Sequence, residues 1–300
     1  MLKTAERRKR IPDNPLVISD LDGTLLDNEP KLTPERAKRL NFLIERGLDF
    51  TIASARSVHI ARVLVDGLRI KLPIIEYNGA FITDFNSGEK IIENYLKEEV
   101  VSSLMALASE HKLEPMIFCR RRDRDLLLPP KNFNTSQRKH LEFLRRHNDI
   151  RLQHEYSYCD WQPEANVILT FSDAAETIQR FFADIPENVS RACDIHRHED
   201  PYCSGTELLV IQDKDSTKSA ATRKLASLLG RTVDDVIAFG DQVNDIALLK
   251  ESAWGVAVSN AATELKLAAD EICEANTEGG VVLWLERSPQ RGTKNTKKGT

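Results

Sequence analysis

The stretch Leu16-Val17-Ile18-Ser19-Asp20-Leu21-Asp22-Gly23-Thr24-Leu25-Leu26 limits the folds open to this chain more than any other segment. An apolar, β-prone run ends at two carboxylates one residue apart, and a Gly-Thr turn follows at once. A buried parallel strand delivers acidic groups to its carboxyl end in this way, and open α/β sheets bind ligands at that edge. Alternation along an extended chain would point Asp20 and Asp22 the same way. Like charges that close repel unless a cation or a shared proton relieves them. Oxygen-only ligands favour a hard ion such as Mg²⁺.

The wider chain sets bounds on this reading. Three hundred residues exceed the usual single-domain size, which gives an expectation of about two domains. The net charge of −4 is unevenly spread. Lys3, Arg7, Arg8, Lys9 and Arg10 crowd the first residues, and Arg287, Arg291, Lys294, Lys297 and Lys298 crowd the last. Neither end has apolar periodicity, so residues 1–14 and 287–300 read as disordered basic tails. They also lack the interleaved aromatics of a nucleic-acid-binding arm, so no nucleic-acid partner is expected. No apolar run approaches the ~20 residues of a membrane span, and no basic-then-apolar signal opens the chain. Five cysteines are scattered without a C-x-x-C pair, which suits free thiols in a reducing cytoplasm.

Strand-like and helical patterns alternate at both ends of the folded body. Residues 16–19 read as a strand, and Thr33-Pro34 opens a helix that runs towards Gly47. Strands follow at Leu48–Ala53 and Pro73–Glu76, with a helix at Val58–Val65 between them. The β-α-β-α-β order implies parallel strands with right-handed crossovers. The pattern resumes with strands at Leu208–Ile211, Asp235–Phe239 and Trp254–Val258, separated by helices, and both stretches are expected to build one sheet. The middle is different in style. Helical patterns at Glu98–His111, Ser136–His147 and Ala174–Ala183 accompany extended segments, and a loop rich in arginine and proline covers Arg120–Lys131. The expected fold is α/β: a Rossmann-like three-layer parallel-sheet core (residues 15–84 and 205–286) with an inserted α+β cap domain (85–204).

Four features carry chemistry. They are Asp20-x-Asp22-Gly23-Thr24, the hydroxyl of Ser54 in Thr51-Ile52-Ala53-Ser54-Ala55-Arg56, Lys218 in the first turn of a helix, and Gly240-Asp241-Gln242-Val243-Asn244-Asp245 after a strand. The acidic and hydroxyl elements each follow a strand, so each can reach one edge of one sheet. This set resembles the haloacid dehalogenase-like phosphohydrolase superfamily, in particular its Cof-type branch, which has a large cap between the second and third motifs. The resemblance covers nearly all of residues 15–286, and Asn78-Gly79-Ala80 after the third strand is similar to that branch as well.

The resemblance implies a Mg²⁺-dependent phosphatase acting on a small phosphorylated metabolite, a sugar phosphate or a phosphorylated cofactor, as a monomer or homodimer. It makes Asp20 the nucleophile that forms an aspartyl-phosphate, with Asp22 first protonating the leaving oxygen and then deprotonating water. Mg²⁺ would take the Asp20 carboxylate, the Asp22 backbone carbonyl and Asp241, with Asp245 direct or through water. Ser54 would bond a phosphoryl oxygen, Lys218 would neutralise developing charge, and Thr24, Asn78 and Asn244 would line the pocket. Ala55 departs from the family's glycine between the hydroxyl residue and the arginine, and its methyl group is expected to change the geometry modestly. A sugar phosphomutase of the same fold and a catalytically quiet phospho-ligand-binding regulator are the competing readings. Lys214 and Lys224 compete with Lys218 for the third motif.

Other clusters are open to blander accounts. Cys193, His196, His198 and Cys203 form a loose zinc-like set, which a polar cap-edge strand explains as well. Arg120, Arg121, Arg122 and Arg124 fit a solvated loop, or a clamp for a second anionic group on the substrate. Tyr156, Tyr158 and Trp161 fit cap packing better than a stacking platform.

Overall fold

The structure, a computed structural model, describes residues 10–28, 31–122, 124–146, 149–152, 161–162, 165–201 and 203–288. Most of the two basic tails, together with Tyr156 and Tyr158, lies outside the described residues. The chain divides into two compact units, one made of residues 1–93 and 217–300 and the other of residues 94–216. No helix among the described residues is long and apolar enough to cross a membrane.

The first unit begins with β1 (Leu16–Ser19), buried at every position. Thr33 caps α1 (Pro34–Glu45) by accepting from the Arg36 N–H at 3.4 Å, and Pro34 loses nothing at the first helical position. β2 (Asp49–Ile52) follows, then α2 (Val58–Leu64), capped by Ser57. β3 (Ile74–Glu76), β4 (Phe81–Thr83) and β5 (Lys90–Glu93) form a separate antiparallel sheet in that order. β3 therefore is not a full member of the parallel sheet, as the β-α-β-α-β pattern implies. It touches that sheet through one parallel bridge, Ala53 to Ile75, because the chain turns back at Tyr77-Asn78-Gly79 and pairs with itself.

The second unit holds α3 (Glu98–Glu110), β6 (Met116–Arg121), β7 (Arg124–Leu128), α4 (Thr135–Arg146), β8 (Asn166–Ala174), α5 (Ala175–Ala183), α6 (Glu187–Ser190), β9 (Cys193–Glu199) and β10 (Thr206–Asp213). Its strands pair antiparallel in the order β7-β6-β8-β10-β9. Two expectations are corrected here. Arg120–Lys131 begins as a hairpin, not a loop: Arg120 lies opposite Asp125, and Arg122 takes the turn at a φ of 51°. The Leu208–Ile211 strand belongs to this sheet and not to the parallel one, since β10 is paired on both sides by β8 and β9. Apolar residues announce a strand, but they do not say which sheet will take it. The boundaries between the units fall after Glu93 and after Ser216, where the sequence reads 84 and 204, because β5 pairs within the first unit and β10 within the second.

The chain returns to the first unit with α7 (Lys218–Leu228), β11 (Val236–Gly240), α8 (Ile246–Glu251), β12 (Trp254–Val258), α9 (Thr263–Ala268), β13 (Glu271–Cys273) and α10 (Gly280–Arg287). The parallel sheet runs β13-β12-β11-β1-β2, with Ser19 opposite both Phe239 and Ile52. β1 and β11 are buried along their whole length, as expected of central strands covered by helices on both faces. α1 packs on α10 and α7 on α8, and Trp284 of α10 meets Phe239 of β11 edge-on, with ring centroids 5.3 Å apart.

A buried charge cluster fixes the small antiparallel sheet. Glu76 is inaccessible to solvent; it accepts from the Val58 N–H at 2.5 Å and also from Thr83 Oγ1 and Lys90 Nζ. It ties β3, β4 and β5 to the start of α2. Removing one partner of such a pair leaves an uncompensated buried charge, which costs about 3–5 kcal/mol. Lys90→Met is expected to destabilise the protein by about that amount in urea unfolding. A loss within ~0.5 kcal/mol, the range of ordinary surface substitutions, would show that the pair has no such role.

Candidate active site

The parallel register carries β1, β2 and β11 to a common carboxyl edge. The Asp20 N–H donates to Phe239 O at 3.0 Å and the Ala53 N–H to Ser19 O at 2.9 Å, so the ladder continues to the first residue beyond each strand. Asp20 follows β1, Asp241 follows β11, and Lys218 is the first residue of α7, whose cap is Thr217. All three are buried, as is Asp245.

Their side chains converge. Lys218 Nζ donates to Asp20 Oδ1 at 2.6 Å and to Asp245 Oδ1 at 2.7 Å. Thr24 Oγ1 donates to Asp241 Oδ1 at 3.0 Å and approaches Asp20 Oδ2 at 3.4 Å. Asp245 Oδ2 accepts from the backbone N–H groups of Asp241 and Gln242 at 3.2 and 3.3 Å, which folds the Gly240–Asp245 loop around its own carboxylate. Two glycines leave room for this. A Cβ on Gly23, at a φ of 76°, would overlap the Asp241 carboxylate, and one on Gly240 would overlap the Asp245 side chain.

The electrostatics of the cluster point to a missing positive charge. Three buried carboxylates face one ammonium, a formal balance of −2. Burial pushes the Asp20 carboxyl from its ordinary 3.8 up to about 8; Asp245 and Asp241 add to the shift and Lys218 opposes it. Asp241 is raised by burial and by Asp245. Burial alone would lower Lys218, but Asp20 and Asp245 outweigh it and hold the amine charged. Oxygen atoms of Asp20, Asp241 and Asp245 all lie within 4.8 Å of one another, close enough to share an ion. An all-oxygen donor set with this deficit fits a hard divalent cation. Among the described residues this is the one group of histidine, cysteine and acidic side chains with such spacing. Cys193, His196, His198 and Cys203 do not form another: alternation along β9 sends Cys193 and His196 to opposite faces, and His196 instead bonds Asp194 at 2.7 Å.

A second network adjoins the first in sequence. The Asp22 carboxylate stands apart from the three clustered ones and accepts from Arg56 Nε at 3.0 Å and Nη2 at 3.1 Å. The Arg56 N–H donates to Ser54 Oγ at 3.1 Å, and the Asn78 N–H to Ser54 O at 2.9 Å. Asn244 Nδ2 reaches Asn78 Oδ1 at 3.4 Å. Asn78 holds a φ of 55°, and Gly79 presses so closely on the Thr217 backbone that no side chain would fit. Ala55 is exposed and is not among the residues of positive φ, so its methyl group strains nothing here. Of the lysines that compete for the third motif, Lys218 is the one the structure joins to two of the carboxylates. Sequence reasoning left the guanidinium of Arg56 without a role. A cavity of 740 Å³ lined by Arg10, Asp13, Arg231 and Asp234 lies near the starts of β1 and β11, away from the carboxylates.

A family model described as haloacid dehalogenase-like hydrolase matches residues 17–285. The chain belongs to the haloacid dehalogenase-like hydrolases. It is 26% identical over 284 residues to a Bacillus subtilis protein named 5-amino-6-(5-phospho-D-ribitylamino)uracil phosphatase, a match spanning 89% of this chain and 96% of that one. A crystal structure of a haloacid dehalogenase-like hydrolase from Bacteroides thetaiotaomicron superposes with a TM-score of 0.72 at 24% identity, covering 91% and 98% of the two chains. A structure described as that of a subclass IIB sugar phosphatase gives a TM-score of 0.64 at 20% identity over 90% and 97%. Both structures share the fold of this hydrolase.

The raised Asp20 pKa has a measurable consequence. Without a cation the folded state keeps a proton on Asp20 between about pH 4 and 8 that the unfolded chain releases, so this group's contribution to stability is lost as pH rises through that window. A divalent cation competes with that proton. The rise in melting temperature on adding Mg²⁺ to chelator-treated protein is therefore expected to be larger at pH 8 than at pH 5.5, by scanning fluorimetry. An equal rise at both pH values would exclude Asp20 from the cation's ligands.

Proposed function

We propose that this hydrolase is a Mg²⁺-dependent phosphatase that cleaves a small phosphorylated metabolite through an aspartyl-phosphate on Asp20. The observation that carries the reading is Lys218 between Asp20 and Asp245, with Asp241 alongside, at the carboxyl edge of the parallel sheet. Asp20, Asp241, Asp245 and the Asp22 carbonyl would hold Mg²⁺, which supplies charge neutralisation for the phosphoryl group.

The chain's own groups account for the steps. An Asp20 oxygen attacks phosphorus, and the bond from phosphorus to the leaving oxygen breaks as Asp22 gives that oxygen a proton. Water then attacks phosphorus, Asp22 takes its proton, and the Asp20 carboxylate is restored as phosphate departs. Lys218 offsets charge growing on the phosphoryl oxygens, and the Ser54 hydroxyl bonds one of them, a role supported by its position just beyond β2. Thr24 orients Asp20 and Asp241, while Asn78 and Asn244 line the pocket. The substrate class, a sugar phosphate or a phosphorylated cofactor, is supported by the phosphorylated ribityl compound in the name of the Bacillus subtilis relative. Free Cys119, Cys193, Cys203 and Cys273 agree with work in a reducing cytoplasm.

Asp20→Asn removes the nucleophile and keeps its shape. Phosphate release from 4-nitrophenyl phosphate with Mg²⁺ is expected to fall at least about 10³-fold in this variant. Turnover equal to wild type would end the reading.

A further inference from the structure

We propose that Arg56 is the positioning residue for Asp22, an assignment that rests on the phosphatase reading above. Asp22 lies in a wide turn closed by the Leu26 N–H on Leu21 O, just before Gly23 at its φ of 76°. Its side chain is 44% exposed, and among the described residues its carboxylate bonds to Arg56 alone. A short acidic side chain on such a turn has rotamers to spare. Arg56 removes that freedom, because Nε and Nη2 along one edge of a planar guanidinium fix both oxygens and the plane of the carboxylate.

The base of the arginine is itself held. Its N–H is on Ser54 Oγ and its carbonyl accepts from the Tyr77 N–H at 3.4 Å. The pair therefore sets the distance between the loop that carries the proton donor and the loop that carries the phosphoryl-binding hydroxyl. Ion pairs this exposed contribute little stability, so the pair's effect lies in orientation.

Leaving-group dependence tests this. A 4-nitrophenolate departs without a proton, whereas an alkoxide must receive one as its bond to phosphorus breaks. The ratio kcat/KM covers only the steps up to that cleavage. In Arg56→Ala, kcat/KM for an alkyl phosphate such as glucose 6-phosphate is expected to fall about 10- to 100-fold and that for 4-nitrophenyl phosphate less than about 3-fold, so that the aryl-to-alkyl ratio rises. Arg56→Lys is expected to shift the ratio in the same direction, since a point charge cannot grip both oxygens. Asp22→Asn combined with Arg56→Ala is expected to be no slower on the alkyl substrate than Asp22→Asn alone. An equal fall on both substrates, or additive losses in the double variant, would overturn the assignment to Arg56 while leaving the phosphatase reading intact. Wild-type protein that turns over neither ester would overturn both.

Discussion

Lys218 sits between two buried carboxylates, and the rest of the site is arranged around that contact. An ammonium 2% exposed, bonded to Asp20 at 2.6 Å and Asp245 at 2.7 Å, is stable only because both partners are present. It also fixes the relative placement of three elements: the end of β1, the start of α7 and the loop after β11. Even so, one lysine cannot balance Asp20, Asp241 and Asp245. The residual negative charge gives the cluster its affinity for a cation and its capacity to receive a phosphoryl group, which is itself anionic and needs charge compensation.

The backbone prepares this contact before any side chain takes part. A parallel sheet places equivalent strand ends in line, so residues far apart in the chain arrive together. Asp20 and Asp241 are separated by more than two hundred positions, yet they follow adjacent strands in register. Glycine completes the approach at Gly23 and Gly240, where a single methyl group would collide with a clustered carboxylate. The Asn78 loop closes on Thr217 through Gly79 in the same manner. Close approach of a neighbouring group explains these glycines, and Gly23 and Gly79 add a positive φ that a side chain would strain.

Much of this was legible in the sequence, for physical reasons that differ by element. β1 and β11 are buried on both faces, so they appear as unbroken apolar runs, and the acidic residues after them stand out. The Thr33-Pro34 start was readable because capping is local chemistry, and the helix that carries Lys218 was found from its pattern though not its Thr217 cap. β4, β5 and β13 were missed: strands of three or four residues carry too little pattern to register. β7 was hidden behind Arg124 and Asp125, charges that pair across the hairpin or face solvent. β10 was found but given to the wrong sheet, since its residues specify burial and not partners. In the site, residue types and spacing exposed the cluster. The grip of Arg56 on Asp22 was invisible because it depends on where two side chains point across separate loops.

The split construction of the first unit has a bearing on synthesis. β1 acquires one neighbour, β2, within the first fifty or so residues, but its other neighbour is β11 near residue 236. A growing chain emerging from the ribosome at roughly 5–20 residues per second must therefore carry an open, strongly apolar edge until the inserted unit has been translated. The second unit has its own core and a closed set of strand pairings, so it can mature in the interval. The carboxylate cluster is consequently complete only once Asp241 and Asp245 have emerged, after the whole of the second unit has been translated.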